Sequence, residues 1–263
     1  MTLDTSLIAL GVLVAPFALW VAARVLPAAE RAPAPAGSSY RLVAGSFLAL
    51  LLMGSLTVVG RNAAPLMEAL TLLVAHLGVA AFLLAMAAFL SPPALDLIGI
   101  RRPRFAAEMG RGVAAYALII PSVFALHALT LRWFPDAQKS QDALKAIVAS
   151  AGTAEFVVRA LAVTLAVPLF EELMVRGFLQ RGLEGIIASA GWSGSRAIAV
   201  VVSSLAFTVL HEPQTWVSVM ALSLLLGLAA ARTGSLLVPI AAHGMHNLVV
   251  VLYETWIRGG TPH

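Results

Sequence analysis

Residues 70–90 form a run of 21 residues with a single ionisable side chain, His76. No other feature limits the fold as strongly. At about 1.5 Å of rise per residue, such a run spans about 30 Å as a helix, the thickness of a bilayer's hydrocarbon core. The same ruler gives about eight spans: 7–25, 42–59, 70–90, 113–131, a fifth from 156 into a charged stretch after 170, 197–210, 217–231 and 236–257. Only 11% of the side chains are charged against 60% hydrophobic. A soluble domain carries about 25% charged residues, so this chain lacks the polar surface to cover a globule. The expected fold class is all-α: a polytopic transmembrane helical bundle, one membrane domain over 1–263.

Other classes fall away quickly. The net charge of +4 comes from arginines and lysines in short loops, which sets topology rather than binding nucleic acid. There is no cysteine, which removes disulfides, thiolate metal sites and cysteine nucleophiles together. Asp4 precedes the first apolar run and no Lys or Arg does, so that run is expected to stay as a span rather than serve as a signal peptide. Alternate loops differ in charge. Arg24, Arg31, Arg41, Arg101, Arg102, Arg104, Arg111, Arg176, Arg181, Arg196 and Arg232 fall on one side; Arg61, Arg132, Lys139, Lys145 and Arg258 fall on the other. The positive-inside rule makes the first side cytoplasmic and puts both termini outside. Residues 138–149 have helical spacing and are expected to lie at the membrane surface.

Against this background the segment Pro168-Leu-Phe-Glu171-Glu172-Leu-Met-Val-Arg176-Gly177 stands out. A charged side chain at the bilayer centre costs roughly 3 kcal/mol or more, and intramembrane acids mark functional sites by default. Two later stretches offer compensation: Phe207-Thr-Val-Leu-His211 and His243-Gly-Met-His246-Asn247. Counted from the basic side, Glu171 lies ~15 Å deep, His211 ~22 Å and His243 ~12 Å, so the three can meet. Glu172 and Arg176 stand at i and i+4, the order that favours an ion pair. Glu171 is turned ~100° from Glu172 and is left to face a cavity. His243 and Asn247 share a helical face and are expected to address one point, with His246 beside them.

Desolvation raises a carboxylate's proton affinity, which a general base near neutral pH requires. Glu171 in that role, His211 beside the same water, and His243 and Asn247 as donors to an oxyanion suit attack of water on a peptide carbonyl. Glu171, His211 and His243 could instead hold a zinc ion with water in its open position. The residues alone leave both mechanisms open.

The three motifs, Glu171-Glu172-x-x-x-Arg176, Phe207-x-x-x-His211 and His243-x-x-x-Asn247, together resemble those of the CAAX protease and bacteriocin-processing (Abi) family of intramembrane proteases, which includes the Rce1-type CAAX prenyl endopeptidases. Pro168, Gly177 and Ser203-Ser204 fit the flanks. The resemblance covers 156–253, the expected catalytic core; the N-terminal spans in 1–155 carry no signature. It implies an eight-helix membrane fold and an endopeptidase that cuts near the C-terminus or membrane anchor of a protein substrate. It casts Glu171 as the base, His211 as its assistant, His243 and Asn247 as the oxyanion site, and Glu172 and Arg176 as supports. The family's metal-free glutamate mechanism is favoured over a zinc mechanism. His246 lies outside the family pattern and is read as a packing or supporting residue. The Ala-, Leu- and Arg-rich composition suggests a bacterial inner membrane. The partners implied are a protein or peptide substrate and the lipid bilayer. Two other classes stay in view: a catalytically silent immunity or scaffold protein, and a proton-coupled transporter built on the same buried acids and histidines. His76 and His127 have no paired acid or Asn nearby in sequence and are expected to be structural.

Overall fold

Each long apolar run forms a helix, and among the described residues there is no strand. The structure is a computed structural model that describes residues 5–29, 32–60, 63–90, 94–100, 105–133 and 142–258. The N-terminal half holds α1 (Thr5–Val25), α2 (Ala36–Gly60), α3 (Pro65–Leu90), the short α4 (Ala94–Leu97), α5 (Phe105–Trp133) and the small α6 (Asp142–Ala149). The next rod runs unbroken over 154–189 but changes pitch along its length. It comprises α7 (Ala154–Leu161), a π-helical stretch (Ala162–Ala166), α8 (Val167–Glu172), a second π-helical stretch (Leu173–Gln180) and α9 (Arg181–Ser189). Then follow α10 (Ser195–Val209), α11 (Trp216–Thr233) and α12 (Leu237–Leu252), which a π-helical turn extends to Arg258. Among the described residues, α2, α3, α5 and α11 are long and apolar enough to cross a membrane, while 13–25 in α1 and α10 are shorter apolar helices.

Large apolar side chains point outward along these helices. Leu51 is 69% exposed, Phe89 89% and Leu165 62%, a surface that suits hydrocarbon and not water. Small residues mark the closest helix contacts, as expected where lipid tails remove the hydrophobic drive between helices. A side chain at Gly112 of α5 would meet the Val238 carbonyl oxygen at 2.3 Å, so α5 and α12 approach at backbone distance. Gly182 and Gly185 of α9 lie as tightly on Ser39 of α2. Phe178, Leu173 and Phe170 of the rod pack on Leu83 of α3 and Leu42 of α2. Tyr116 and Ile119 of α5 pack on Leu222 and Leu225 of α11 and Ala242 of α12. The rod and α12 thus lie between two packed layers.

Several arginines grouped on one side in the sequence gather at one end of the packing, whereas Arg176, counted with them, is enclosed in the middle of the rod against Glu172. Arg181 donates to the carbonyl of Leu97 (3.0 Å), Arg232 to that of Leu26 (3.2 Å), and the amide of Leu236 to Gly99 (2.9 Å). The chain ends around 26, 97, 181 and 232 therefore gather at one arginine-rich end. Arg159, in α7 at the start of the rod, pairs near the opposite end with Glu155 (2.7 Å) and Glu68 (3.0 Å). Arg31, Arg61, Arg101, Arg102, Arg104, Lys139 and residues 138–141 of the expected surface helix lie outside the described residues; its remainder, 142–149, is helical.

Pro168 does not break the rod; the rod widens ahead of it. Proline has no N–H, and its ring crowds the carbonyl four residues back. Here that carbonyl belongs to Thr164, inside the first π-helical stretch. The wider turn re-aims the carbonyls at α12. Val163 accepts a hydrogen bond from Asn247 at 2.8 Å, and a Cβ on Gly244 would sit 2.7 Å from the Thr164 oxygen. Only glycine lets α12 come this close.

Candidate active site

Glu171 and Glu172 end α8, between the two π-helical stretches. Such stretches are often found at functional sites. Consecutive residues on a helix point in different directions, and the two carboxylates have different surroundings. Glu172 is completely buried, while the side chain of Glu171 is 20% exposed. The expected pairing at i and i+4 is present: Arg176 Nε lies 3.2 Å from Glu172 Oε2, both side chains fully enclosed. That contact is close enough for an ion pair but not aligned as a hydrogen bond, and Arg176 Nη1 has no hydrogen-bond partner among the described residues. Arg176 Nη2 donates to the hydroxyl (2.7 Å) and carbonyl (3.2 Å) of Ser223 on α11. The guanidinium carbon sits 5.4 Å from the Phe207 ring centre, a cation–π distance.

His243 joins the two acids. Its Nδ1 is 3.0 Å from Glu172 Oε1, and its Nε2 is 3.7 Å from Glu171 Oε2. A carboxylate paired with arginine only accepts hydrogen bonds, so the Nδ1 facing Glu172 carries the hydrogen. In a neutral ring this leaves the Nε2 lone pair turned toward Glu171. The expectation of His243 as a neutral oxyanion donor changes accordingly: the neutral ring is an acceptor on the side of Glu171.

Asn247 departs from its expectation as well. It shares a face with His243, but its amide is bound to the Val163 carbonyl and does not address the same point. That bond fixes which end of the amide carries the hydrogens, and one N–H remains for a second acceptor. His211 lies just past the end of α10, where its Nδ1 bonds the Phe207 carbonyl at 2.9 Å. Its ring stands 4.5 Å from that of Phe207, which in turn meets His243 edge-on at 5.9 Å. The Phe207 ring thus packs on both histidines. His246 accepts or donates a 3.1 Å bond at Nδ1 with the hydroxyl of Tyr116, a fully buried residue of α5. His76 is bonded to its own helix at the Leu72 carbonyl (2.7 Å) and stands edge-on to Phe170, 5.4 Å away.

The zinc alternative can be tested on these positions. His211 and His243 each commit Nδ1 to an oxygen and leave Nε2 as a lone pair, the usual tautomer of a metal ligand. The positions do not match the tautomers. Among the described residues, no three of His, Asp and Glu converge closely enough to hold an ion. In this arrangement Glu171, His211 and His243 do not converge on one point, and no step below is routed through a metal.

Sequence reasoning missed Ser223, Tyr116 and the Val163 carbonyl. A serine in the Ala- and Leu-rich α11 and a tyrosine in the apolar α5 were visible as polar groups in membrane spans, the signal that singled out Glu171. The carbonyl left no such sign, because every residue has one.

Comparison with known proteins gives one finding. No curated protein and no solved structure matches the chain. Residues 153–249 match the family model described as type II CAAX prenyl endopeptidase Rce1-like. That segment runs from the cap of α7 to the last turns of α12 and contains Glu171, Glu172, Arg176, His211, His243, His246 and Asn247. Within this membrane-embedded helical protein, residues 153–249, which carry the paired acids, the buried arginine and His211, His243 and His246, are similar to the Rce1-like family.

Proposed function

We propose that the protein is an intramembrane endopeptidase that hydrolyses a peptide bond near the C-terminus or membrane anchor of a protein substrate, with water activated by Glu171. The observation that carries this reading is the placement of His243 between two unlike carboxylates, one enclosed and paired with Arg176, the other partly open. Arg176 and Glu172 fix the ring; Glu171 keeps access to water and substrate. A rigid support beside a reachable base is what general base catalysis needs.

In the proposed sequence, Glu171 takes a proton from water as the oxygen adds to the scissile carbonyl carbon. The carbonyl oxygen becomes an oxyanion, and the free N–H of Asn247, held in place by Val163, donates to it. The proton on Glu171 lies next to the lone pair of His243 Nε2, which can share it. It then passes to the leaving nitrogen, the C–N bond breaks, and the products are a carboxylic acid and an amine, which settle as carboxylate and ammonium. His211, past the end of α10, stands on the far side of Phe207 and assists through that ring, which packs on His243. Glu172 and Arg176 take no proton in this scheme. They hold His243 in the required tautomer.

The test is cleavage of reporter proteins with varied C-terminal tails by purified protein in liposomes, wild type against Glu171→Gln, each with and without a strong chelator. A product made by the wild type and lost in the folded variant supports the assignment, and resistance to chelator supports the metal-free route. Equal cleavage by both proteins rejects Glu171 as the base.

A further inference from the structure

At the arginine-rich end, away from the acids, α10 and α11 separate to leave a cavity of about 430 Å³. Its walls are apolar: Ala197, Val200 and Val201 on one face of α10, Leu228 and Ala231 on one face of α11. The small side chains make the space. Two arginines also line it, Arg196 in the first turn of α10 and Arg232 in the last turn of α11. The cavity is not sealed, since Val201 is 46% exposed and opens it sideways onto the face of α10 that carries Val202 and Leu205, both exposed.

The carboxylate of Glu184 is shared between Arg181 and Arg196, at 3.1 Å from Arg196 Nε. Arg232 bonds the Leu26 carbonyl (3.2 Å), which orients the guanidinium and leaves its charge in place. The side chain of Arg196 is 43% exposed, so it can meet a ligand as well as Glu184. From Arg196 to Val201 is about 7.5 Å along the helix axis, so the cationic rim gives way to apolar wall within two turns. Such a basic rim over an apolar slot between helices has the chemistry of an anionic lipid site.

We propose that this cavity binds a phospholipid with an anionic phosphate headgroup. The phosphate lies between Arg196 and Arg232, and the upper part of one acyl chain enters the slot beside Ala197, Val201 and Leu228. The site is separate from the peptidase reading and does not depend on it.

The test is native mass spectrometry of the purified protein in a neutral detergent, titrated with phosphatidylglycerol, phosphatidylcholine or inorganic phosphate. One phosphatidylglycerol per chain should be retained in preference to phosphatidylcholine. Each arginine lost should weaken it about fivefold, the attraction of one basic residue to an anionic surface, so Arg196→Gln/Arg232→Gln should weaken it about 25-fold. Ala197→Trp keeps both arginines and fills the slot, and should also abolish the preference. Arg41→Gln, on the exposed surface of α2 and outside the cavity, should leave it unchanged. Equal retention of the two lipids, an unaffected double variant, an unaffected Ala197→Trp, or an Arg41→Gln loss as large as the double variant's overturns the site. Displacement of the lipid by inorganic phosphate at equal concentration overturns the lipid assignment in favour of a free anion. Circular dichroism reports folding of each variant; if the double variant does not fold, Ala197→Trp decides.

Discussion

The rod over 154–189 carries two buried glutamates held by arginines, and they are built differently. At the arginine-rich end, Glu184 takes Arg181 and Arg196 on its two oxygens, and Arg181 also donates to the Leu97 carbonyl. No side-chain atom of Glu184 or Arg181 is buried without a partner. In the middle of the rod, Glu172 has one arginine and one histidine, and Glu172 Oε2, Arg176 Nε and Arg176 Nη1 are all buried without a hydrogen bond. The first centre fastens loops and helix ends together. The second pairs Glu172 with Arg176 at 3.2 Å and leaves Arg176 Nη1 buried without a hydrogen bond among the described residues, which costs stability. Under the proposed function, that cost is offset by holding His243 against Glu171.

The sharpest test of that contrast lies in activity. Glu171→Gln should lower hydrolysis of a cleavable tail by about 10²–10⁴-fold, the usual worth of a general base, with helical content unchanged in circular dichroism. Glu184→Gln should leave turnover within about tenfold of wild type in the same assay, since Gln keeps the shape and an acceptor oxygen for the arginines and so leaves the distant acids in place. If folded Glu184→Gln protein is as inactive as Glu171→Gln, the two centres are not distinct.

Asn247 is the next largest effect. Asn247→Leu should reduce kcat by about 10²–10³-fold if its free N–H meets the oxyanion, with a stability loss of only about 1 kcal/mol from the Val163 bond. A variant that loses stability but keeps kcat would make Asn247 a clamp on the π-helical stretch and nothing more.

Stability separates the two arginines. Arg176→Met leaves Glu172 as a buried charge beside a single histidine and should cost about 3–5 kcal/mol, read from thermal unfolding in detergent. Arg176→Met combined with Glu172→Leu should recover part of this, because the unpaired charge is gone. Arg181→Met leaves Glu184 with Arg196 and should cost about 1.5–3 kcal/mol, a hydrogen bond to a charged group. Equal losses for Arg176→Met and Arg181→Met would erase the distinction.

The smallest effect tests the N-terminal half. Tyr116→Phe removes the partner of His246 and should cost about 1 kcal/mol, with turnover changed less than tenfold if His246 supports packing only. A larger fall in kcat at unchanged stability would bring α5 into the catalytic machinery.

The sequence by itself determined the helices and grouped most of the arginines that gather at one end. Apolar runs of span length must be helical in lipid, because backbone groups find no other partners there, and arginines sort to one side of the bilayer. It also marked Glu171, Glu172, Arg176, His211, His243 and Asn247 as a set, since polar groups inside such runs need partners. The pairing of Glu172 with Arg176 was legible because spacing within one helix fixes which side chains are neighbours. Contacts between helices were not legible. Only the tertiary structure put Ser223 against Arg176, Tyr116 against His246 and the Phe207 ring against both His211 and His243. It alone turned Asn247 from His243's target to Val163, because the wide turn ahead of Pro168 presents that carbonyl and Gly244 lets α12 reach it. Local spacing is set by the geometry of one helix; the choice of partner across helices is set by how closely small residues let backbones approach, and no single segment encodes that.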